Sequence, residues 1–523
     1  MKTTDGISAW ALRSLRLLLL ISSPFASAQA ASPGPAGATP PANFKVHNTV
    51  LGKVPLLGDP RSIVDSDDGQ HIAFVVRRGL KSAVWHDGTE GPIYQRISRL
   101  MFSPAGAHLA YIASKSTDSE VVVLDGKELA THWSISTNSL QFSPNGNRIA
   151  YVFAAPTNRA VTTPPVTGLV DGQPHRFGAI VPLSVMVDGQ PGREYPGIDT
   201  RALVFSPDSQ HLAYVASLAA AGNQTVSLYC VVRDGVESEP CERVLETVFS
   251  PDSSHFAYGA RQNGKERIVF DGKPGRDYDL IASDSLAFSP DSESLVYRAK
   301  RDGKRFLVVA GEETTPAGAD NFGDPVFSPD SQRKAINVTR AGKERWLIDN
   351  QAGPEYDGVG RLSFSPDSRR TAYTGRRDDR WYLVLDGVES RAYEAIDDCV
   401  RFSPDSRHLW WLAKRQGKYR LLRDLDEQEP EYDWAGHALA ISPDSRHVAF
   451  TAARGPMDAS VHGLIVVDGR EGPAYGPINK LAFDGNRTVH AVAERMNPDT
   501  FEHEFVRIEL LITEDSNSLG EPR

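Results

Sequence analysis

A short motif that recurs along almost the whole chain constrains its fold more than any other feature. Its most regular copy is FSPDS at residues 364–368. The serine of this motif, or a residue in its place, stands at positions 66, 103, 143, 206, 250, 289, 328, 365, 403 and 442, with Asp484 in the same place near the end. Such a regular spacing indicates tandem copies of one structural unit.

The copy at residues 364–396 shows why each unit predicts four short antiparallel strands. Pro366 fixes φ for a tight turn between the first two strands, and the side chains of Asp367 and Ser368 can accept the open N–H groups of that turn. The apolar run at 381–385 is typical of a third strand that is buried on both faces. The Asp-Gly pair at 386–387 then favours a hairpin turn into a fourth strand.

Four strands in a unit of about forty residues are typical of the blades of a β-propeller. Helical solenoids share this period, but the units are rich in Val, Tyr and Phe and are interrupted by Asp-Gly turns, which excludes helices. The sequence therefore predicts an all-β chain of about eleven propeller blades.

A single ring usually holds roughly four to eight blades, so we expect two tandem propellers. The first would span residues 44–320 with about six blades and the second residues 321–513 with about five. We place the boundary there because Ala310-Gly311 replaces the usual Asp-Gly and residues 312–325 lack the usual aromatic strand. One oversized or incomplete ring is the alternative.

Two units depart from the regular pattern. The third unit carries two Val-Asp-Gly hairpins near 155–190, which indicates either an inserted hairpin or a partial blade. The last unit ends after three strands and continues into a polar tail at 514–523. We expect the segment 44–60 to supply the missing strand, since this would remove an open sheet edge.

The first thirty residues have the pattern of a secretory signal peptide. Arg13 and Arg16 precede the apolar run at 17–21, and an Ala-x-Ala cleavage pattern follows before residue 30. Residues 31–43 form a linker rich in Pro, Gly and Ala. The apolar run is too short to span a bilayer. The mature chain is therefore expected in the periplasm or outside the cell, without a transmembrane segment.

Cys230 and Cys241 flank a hairpin turn on adjacent expected strands, which would allow a disulfide in an oxidising compartment. A count of the register places the pair one residue away from direct opposition, so both a disulfide and two free thiols stay open. Cys399 is expected to be a buried thiol.

Basic residues concentrate in the turns between the second and third strands of five consecutive units. A positive arc on a chain of net charge −10 could attract an anionic partner, whereas the net charge itself argues against general nucleic-acid binding. The alternative is a solubilising face that duplication has copied. The residues of this basic arc that we expect to bind are Arg261, Lys265, Arg301, Lys304, Arg340, Lys343, Arg376, Arg377, Lys414, Arg415 and Lys418.

Catalytic and cofactor motifs are absent from the sequence. It contains no Gly-x-Ser-x-Gly, His-Glu-x-x-His, Cys-x-x-Cys or phosphate-binding Gly-Lys-Ser/Thr pattern, so no cofactor and no metal site is expected. The segments 65–69 and 424–433 resemble cation-binding loops only weakly. Histidine recurs at one place, the start of the second strand, in many units, which is typical of a structural role.

The unit with FSPDS, Ala-Tyr and Val-Asp-Gly resembles the WD-like repeat of TolB-type periplasmic propellers, over about residues 60–513. A similar repeat precedes the catalytic domain of dipeptidyl-peptidase-type serine peptidases. Here the fifth motif residue is mostly Ser where the family prefers Gly, and we expect neither the α/β domain of TolB nor a hydrolase domain. The signal peptide, the propeller-only architecture and the basic arc lead us to expect a non-enzymatic binding or scaffold module for a protein partner or an anionic envelope component, and the partner-binding role of TolB in the cell envelope is an analogy. A hydrolase or lyase that acts on a sugar or lactone at a propeller mouth is the alternative.

Overall fold

The computed structural model describes residues 44–53, 62–104, 106–154, 167–170, 173–176, 181–218, 228–316, 318–455, 463–497, 500 and 502–513. The expected signal peptide, linker and polar tail lie outside these residues. Strands dominate the described part, together with a short 3-10 turn at Thr137–Ser139. Among the described residues, no helix has the length and apolar character that crossing a membrane requires.

The strands form eleven four-stranded antiparallel β-propeller blades, which confirms the predicted all-β fold. Blades 1 to 10 are numbered along the chain, and in each of them the strands pair in the order in which they follow one another. In blades 3, 6, 8 and 9 the first strand is interrupted and pairs with the second strand as two short pieces.

The bounds of the strands follow, blade by blade. Blades 1 to 3 comprise Val64–Asp65, Ile72–Arg78, Lys81–His86 and Thr89–Glu90; Arg96–Phe102, Leu109–Ser116, Ser119–Leu124 and Lys127–His132; and Ser134–Ile135 with Gln141–Phe142, Ile149–Ala154, Leu183–Val187 and Gln190–Pro191. Blades 4 to 6 comprise Gly197–Phe205, Leu212–Leu218, Leu228–Arg233 and Val236–Glu237; Arg243–Phe249, Phe256–Gln262, Lys265–Phe270 and Lys273–Pro274; and Leu280–Ile281 with Ala287–Phe288, Leu295–Arg301, Lys304–Val309 and Glu312–Thr314.

The remaining blades follow the same plan. Blades 7 to 9 comprise Asn321–Phe327, Lys334–Arg340, Lys343–Ile348 and Gln351–Ala352; Gly358–Val359 with Ser363–Phe364, Thr371–Arg377, Arg380–Leu385 and Val388–Glu389; and Ala395–Ile396 with Arg401–Phe402, Leu409–Arg415, Lys418–Arg423 and Asp426–Glu427. Blades 10 and 11 comprise Trp434–Ile441, Val448–Ala453, Gly463–Val467 and Arg470–Tyr475; and Ile478–Asp484, Thr488–Met496, His503–Ile512 and Phe44–Lys53.

Blade 11 is completed by the N-terminal strand of the described chain. Phe44–Lys53 pairs antiparallel with His503–Ile512, from Phe44 opposite Ile512 to Lys53 opposite Glu504. The expectation that the early segment supplies the missing fourth strand is confirmed.

The irregular third unit contains an inserted hairpin. Thr167–Val170 and Gln173–Arg176 form a separate two-stranded sheet between the second and third strands of blade 3, which itself has its full set of strands. This agrees with the first of the two alternatives. The Asp-Gly pair of this hairpin, at 171–172, lies outside the described residues.

The chain divides into two compact units. One unit joins the residues up to Ile93 to those from Glu429 onward and contains blades 1, 10 and 11; the other, Tyr94–Gln428, contains blades 2 to 9. The boundary predicted at residue 320 falls inside the second unit, between two complete blades. Ala310 and Gly311 adopt φ values of 50° and 84°, so this pair makes the same turn as Asp-Gly elsewhere. The division into two rings stays a prediction.

Third strands are buried on both faces, as their continuous apolar sequence predicts. Leu383 and Val384 are both fully buried, yet they belong to different clusters. Leu383 packs with residues of blade 9 and Val384 with residues of blade 7, because successive side chains of a strand point to opposite faces. Each third strand in this unit therefore contributes to two neighbouring cores.

Candidate functional site

The turns between strands one and two and between strands three and four lie side by side, as blade 8 shows. The buried hydroxyl of Ser365 donates to Asp367 Oδ1 over 2.6 Å and accepts the N–H of Arg370 over 2.9 Å. Arg370 Nε in turn donates to Asp386 Oδ2 over 2.8 Å. The hydroxyl of Ser365 and the N–H of Arg369 lower the pKa of Asp367. The carboxylates of this edge therefore serve the turns themselves.

The recurrent histidines take the place of Arg370 in other blades. In blade 5, His255 Nδ1 lies 2.6 Å from Asp271 Oδ2, and Asp271 Oδ1 accepts the N–H of Phe256 over 2.9 Å. Equivalent pairs occur in many blades, which supports a structural role. They are His71–Asp87, His108–Asp125, His211–Asp234, His408–Asp424 and His447–Asp468.

One group in the described part of the chain has the composition of a metal site. His71, His86 and Asp87 of blade 1 each offer a ligand atom, and these atoms lie within 4.8 Å of one another. The pair of His71 with Asp87 is the one that other blades use to hold a turn, so hydrogen bonding accounts for both residues. In the loop at 65–69, Asp67 pairs with Lys480 of blade 11, and Asp68 accepts the Ser66 hydroxyl within the turn.

The fifth motif residue connects neighbouring blades. Ser253 adopts a φ of 65°, where an L-residue is strained, and its Oγ accepts the N–H of Asp208 from the preceding blade over 2.9 Å. This bond explains why Ser replaces the Gly that the resembling family prefers. The same bond recurs between Asn145 and Ser209, Asp252 and Ser292, Asp291 and Ser331, Asp330 and Ser368, and Asp367 and Ser406.

The turns of the basic arc are tight hairpins with positive φ at both central residues, as at Asn263 (52°) and Gly264 (73°). The residues that flank such a turn are direct cross-strand partners. Arg301 therefore lies opposite Lys304, and Arg340 opposite Lys343. Like charges in this arrangement destabilise a sheet unless carboxylates compensate them.

Carboxylates, most of them from outside the turns, provide this compensation for much of the arc. Lys265 Nζ lies 2.6 Å from Asp279, and Arg376 pairs with Asp379 over 2.5 Å. The ion pairs therefore balance part of the positive charge of the arc. The other ion pairs of the arc are Arg301–Glu313, Lys343–Asp357, Arg377–Glu389 and Arg415–Glu427.

Three residues of the arc are exposed cations. Arg261, Lys304 and Arg340 lie at equivalent turns of blades 5, 6 and 7, and no ion pair is seen for them within the described residues. Lys414 lies 5.5 Å from the ring of Tyr419, and Lys418 is half-buried. The structure therefore places the whole arc at one set of turns and leaves its most accessible charge on blades 5 to 7.

A cluster of tyrosine, glutamate and arginine, which the sequence analysis missed, joins several pairs of blades. At the junction of blades 5 and 6, the Tyr278 hydroxyl donates to Glu313 Oε1 over 2.9 Å, and Arg301 binds both oxygens of Glu313 over 2.7 Å. The hydrogen bonds from Arg301 are the main reason that the pKa of Glu313 is lowered to about 2. Burial raises the pKa of Tyr278. Equivalent clusters are Tyr356–Glu389–Arg377 and Tyr393–Glu427–Arg415.

The signal for these clusters was present in the sequence. A tyrosine recurs shortly before many of the units, and a glutamate is often the second residue after the Asp-Gly pair. Tyr278 and Glu313 are 35 residues apart, so only the packing of one blade on the next shows that they meet.

The two cysteines of blade 4 are free thiols that face different cores. Cys241 forms a bridge with Tyr229, the residue before Cys230, so the two cysteine side chains point to opposite faces of the sheet. Cys230 packs against blade 3, and Cys241 against blade 5. The disulfide considered from the sequence is therefore not formed. Burial raises the pKa of Cys230 to about 11 and that of the half-buried Cys399 to about 12.

Comparisons with known proteins give similarity of structure only. No protein-family model and no curated protein sequence matches the chain. A eukaryotic initiation factor matches with 13% identity and a TM-score of 0.40, over 77% of this chain and 95% of that chain. TolB from Acinetobacter baumannii matches with 15% identity and a TM-score of 0.24, over 61% of this chain and 80% of that chain.

An acylaminoacyl peptidase from Pyrococcus horikoshii matches with 12% identity and a TM-score of 0.29, over 68% of this chain and 58% of that chain. Similarities of this strength carry no argument about function. The functional argument therefore rests on the residues of this chain.

Proposed function

We propose that this chain is a secreted, non-enzymatic β-propeller protein of TolB-like type that binds a protein partner or an anionic component of the cell envelope. The fold supports a binding or scaffold role. The signal-peptide pattern of residues 1–30 supports export to the periplasm or the cell exterior.

The observation that carries the proposal is the row of exposed cations on consecutive blades. Arg261, Lys304 and Arg340 lie at equivalent turns, so they place one kind of charge along one edge of blades 5 to 7. Such a row suits an extended anionic partner, because several charges can then act together. Arg377 and Arg415 contribute less, since their charge is already compensated by Glu389 and Glu427.

Charge reversal of this row tests the proposal. We expect Arg261→Glu/Lys304→Glu/Arg340→Glu to lose at least about tenfold in affinity for a partner captured from envelope extract, and to remove the salt dependence of capture. Variants of Arg377 or Arg415 are unsuitable, because they break ion pairs inside the blades.

The matched control is Lys127→Glu/Lys273→Glu/Arg470→Glu, which makes the same change of net charge at exposed turns between third and fourth strands. This control is expected to bind as the wild type does. Equal loss in both variants would show a general effect of net charge, and equal binding by both would remove the basic arc from the proposed function. Export has its own readout, since the mature N-terminus is expected at about residues 29–31.

A further inference from the structure

The junction of blades 4 and 5 lacks every member of the tyrosine–glutamate–arginine cluster. Cys241 forms the backbone bridge that Tyr278 forms one blade later. Pro274 pairs with Val269 in the register that Glu313 has in blade 6, and Gln262 lies opposite Lys265 at the place of the arginine. Three large or charged side chains are thus replaced together by smaller or neutral ones.

A cavity of about 660 Å³ lies at this junction, and Cys241, Gln262 and Pro274 are all among its lining residues. Its volume is within the usual range of small-molecule sites, roughly 300–1,000 Å³. Since the missing side chains fill the equivalent space at the next junction, their replacement explains why the cavity exists.

The wall of the cavity includes an aromatic ring that lacks its usual partner. Tyr297 makes an edge-to-face contact with Tyr278 at 5.9 Å and 79°, and a similar contact joins Tyr195 to Tyr214. Tyr258 holds the place of Tyr297 in blade 5, but Cys241 offers it no ring. The side of Tyr258 that faces blade 4 is therefore preformed for an aromatic group.

Most charged groups around the cavity are already paired, and Glu239 is exposed to solvent at its edge. Glu237 binds Arg193 over 2.6 Å, and Arg267 lies 2.9 Å from Asp277. Arg233 lies 3.8 Å from Asp234, and Asp271 holds His255. Burial raises the pKa of Cys241, which keeps its thiol neutral. An ionised ligand would have to compete with these pairs, so the cavity favours an uncharged one.

We propose that the cavity between blades 4 and 5 binds a small, uncharged aromatic molecule of the phenol class. The ring occupies the place that tyrosine occupies at the neighbouring junctions and contacts the face of Tyr258. Val231, Phe256 and Val269 provide apolar walls, and the amide of Gln262 at the rim can exchange a hydrogen bond with a ligand hydroxyl. Gln262 lies in the blade 5 turn of the basic arc, opposite Lys265, but none of the arc residues lines the cavity, and neither proposal depends on the other.

The test uses p-cresol, which is the side chain of tyrosine as a free molecule. Calorimetric titration of the full chain is expected to show saturable binding to one site. The saturated ring analogue 4-methylcyclohexanol and the anion 4-methylbenzoate are each expected to bind at least about tenfold more weakly. Cys241→Tyr fills the cavity with the residue of the neighbouring junctions and is expected to reduce p-cresol binding by more than about tenfold.

Cys399→Ser, which changes a thiol elsewhere, is the control and is expected to bind p-cresol normally. If circular dichroism shows that Cys241→Tyr does not fold, Gln262→Arg/Pro274→Glu narrows the cavity from the other two positions and is expected to weaken binding in the same way. Absence of saturable binding to the wild type, undiminished binding to a folded cavity-filling variant, or no preference for the aromatic ring would each overturn the proposal.

Discussion

Two neighbouring junctions of the same repeat differ in how they are filled. Between blades 5 and 6, Tyr278 extends to Glu313 and Arg301 and closes the space. Between blades 4 and 5, Cys241 and Pro274 occupy the equivalent places and leave a cavity. Cys241 and Tyr278 form the same backbone bridge, so at this place the two junctions differ in their side chains. A repeat fold can therefore acquire a binding site by shortening a few side chains, without any change of topology.

One contact between the blades is the same at both junctions. Asp208 donates its N–H to Ser253 at the first junction, and Asp252 donates to Ser292 at the second, over 2.9 and 3.0 Å. The blades are thus joined in the same way near the turn between the first two strands.

The largest expected effect comes from removing the tyrosine side chain that fills the junction of blades 5 and 6. Tyr278→Ala should lower the free energy of unfolding by about 3–5 kcal/mol, because it leaves a cavity and removes the hydrogen bond to Glu313. Cys241→Ala should cost only about 1 kcal/mol, since little volume is lost at a site that is already open. Urea denaturation measures both values. Tyr278→Phe is the control and should retain most of the stability; similar losses for the two alanine variants would break the comparison.

The second prediction concerns pH. The pKa of Glu313 is lowered from 4.5 to about 2, so its ionised form stabilises the fold above pH 4.5 and this contribution disappears as the pH falls towards 2. Glu313→Gln should therefore cost about 1–3 kcal/mol at neutral pH and less near pH 2. Melting temperatures over this range measure the effect. Glu293→Gln changes an exposed carboxylate of the same blade and should leave the pH profile unaltered, whereas an equal change of profile in both variants would exclude Glu313 as its source.

The smallest expected effects test the contacts that the two junctions share. Ser253→Ala and Ser292→Ala should each destabilise the protein by about 1 kcal/mol, because the donor N–H of the preceding blade loses its acceptor while the strained φ persists. Ser253→Gly should cost less, since glycine adopts this φ without strain. Chemical denaturation of the three variants provides the measurement. A much larger loss for one serine than for the other would show that the junctions differ here as well.

The repeated turns made most of the fold predictable from the sequence. Pro at a fixed place, Asp-Gly before most fourth strands and continuous apolar third strands depend on local backbone chemistry, and the structure confirms the strands that they predict. The fourth strand of blade 11 was also predictable, because three strands leave an open edge. Local backbone chemistry does not determine the division into two rings, because that division depends on contacts among whole blades.

The sequence by itself determined the unit, its four strands and the edge on which each turn lies, because these follow from residues close together in the chain. Only the tertiary structure decided which charges are compensated and which junction is open. Arg301 is an exposed cation by its local sequence, but Glu313 binds it, and the tyrosine that completes their cluster comes from the preceding blade. Coulomb energy and packing depend on distance in space, and neighbouring blades bring together groups that the chain keeps far apart.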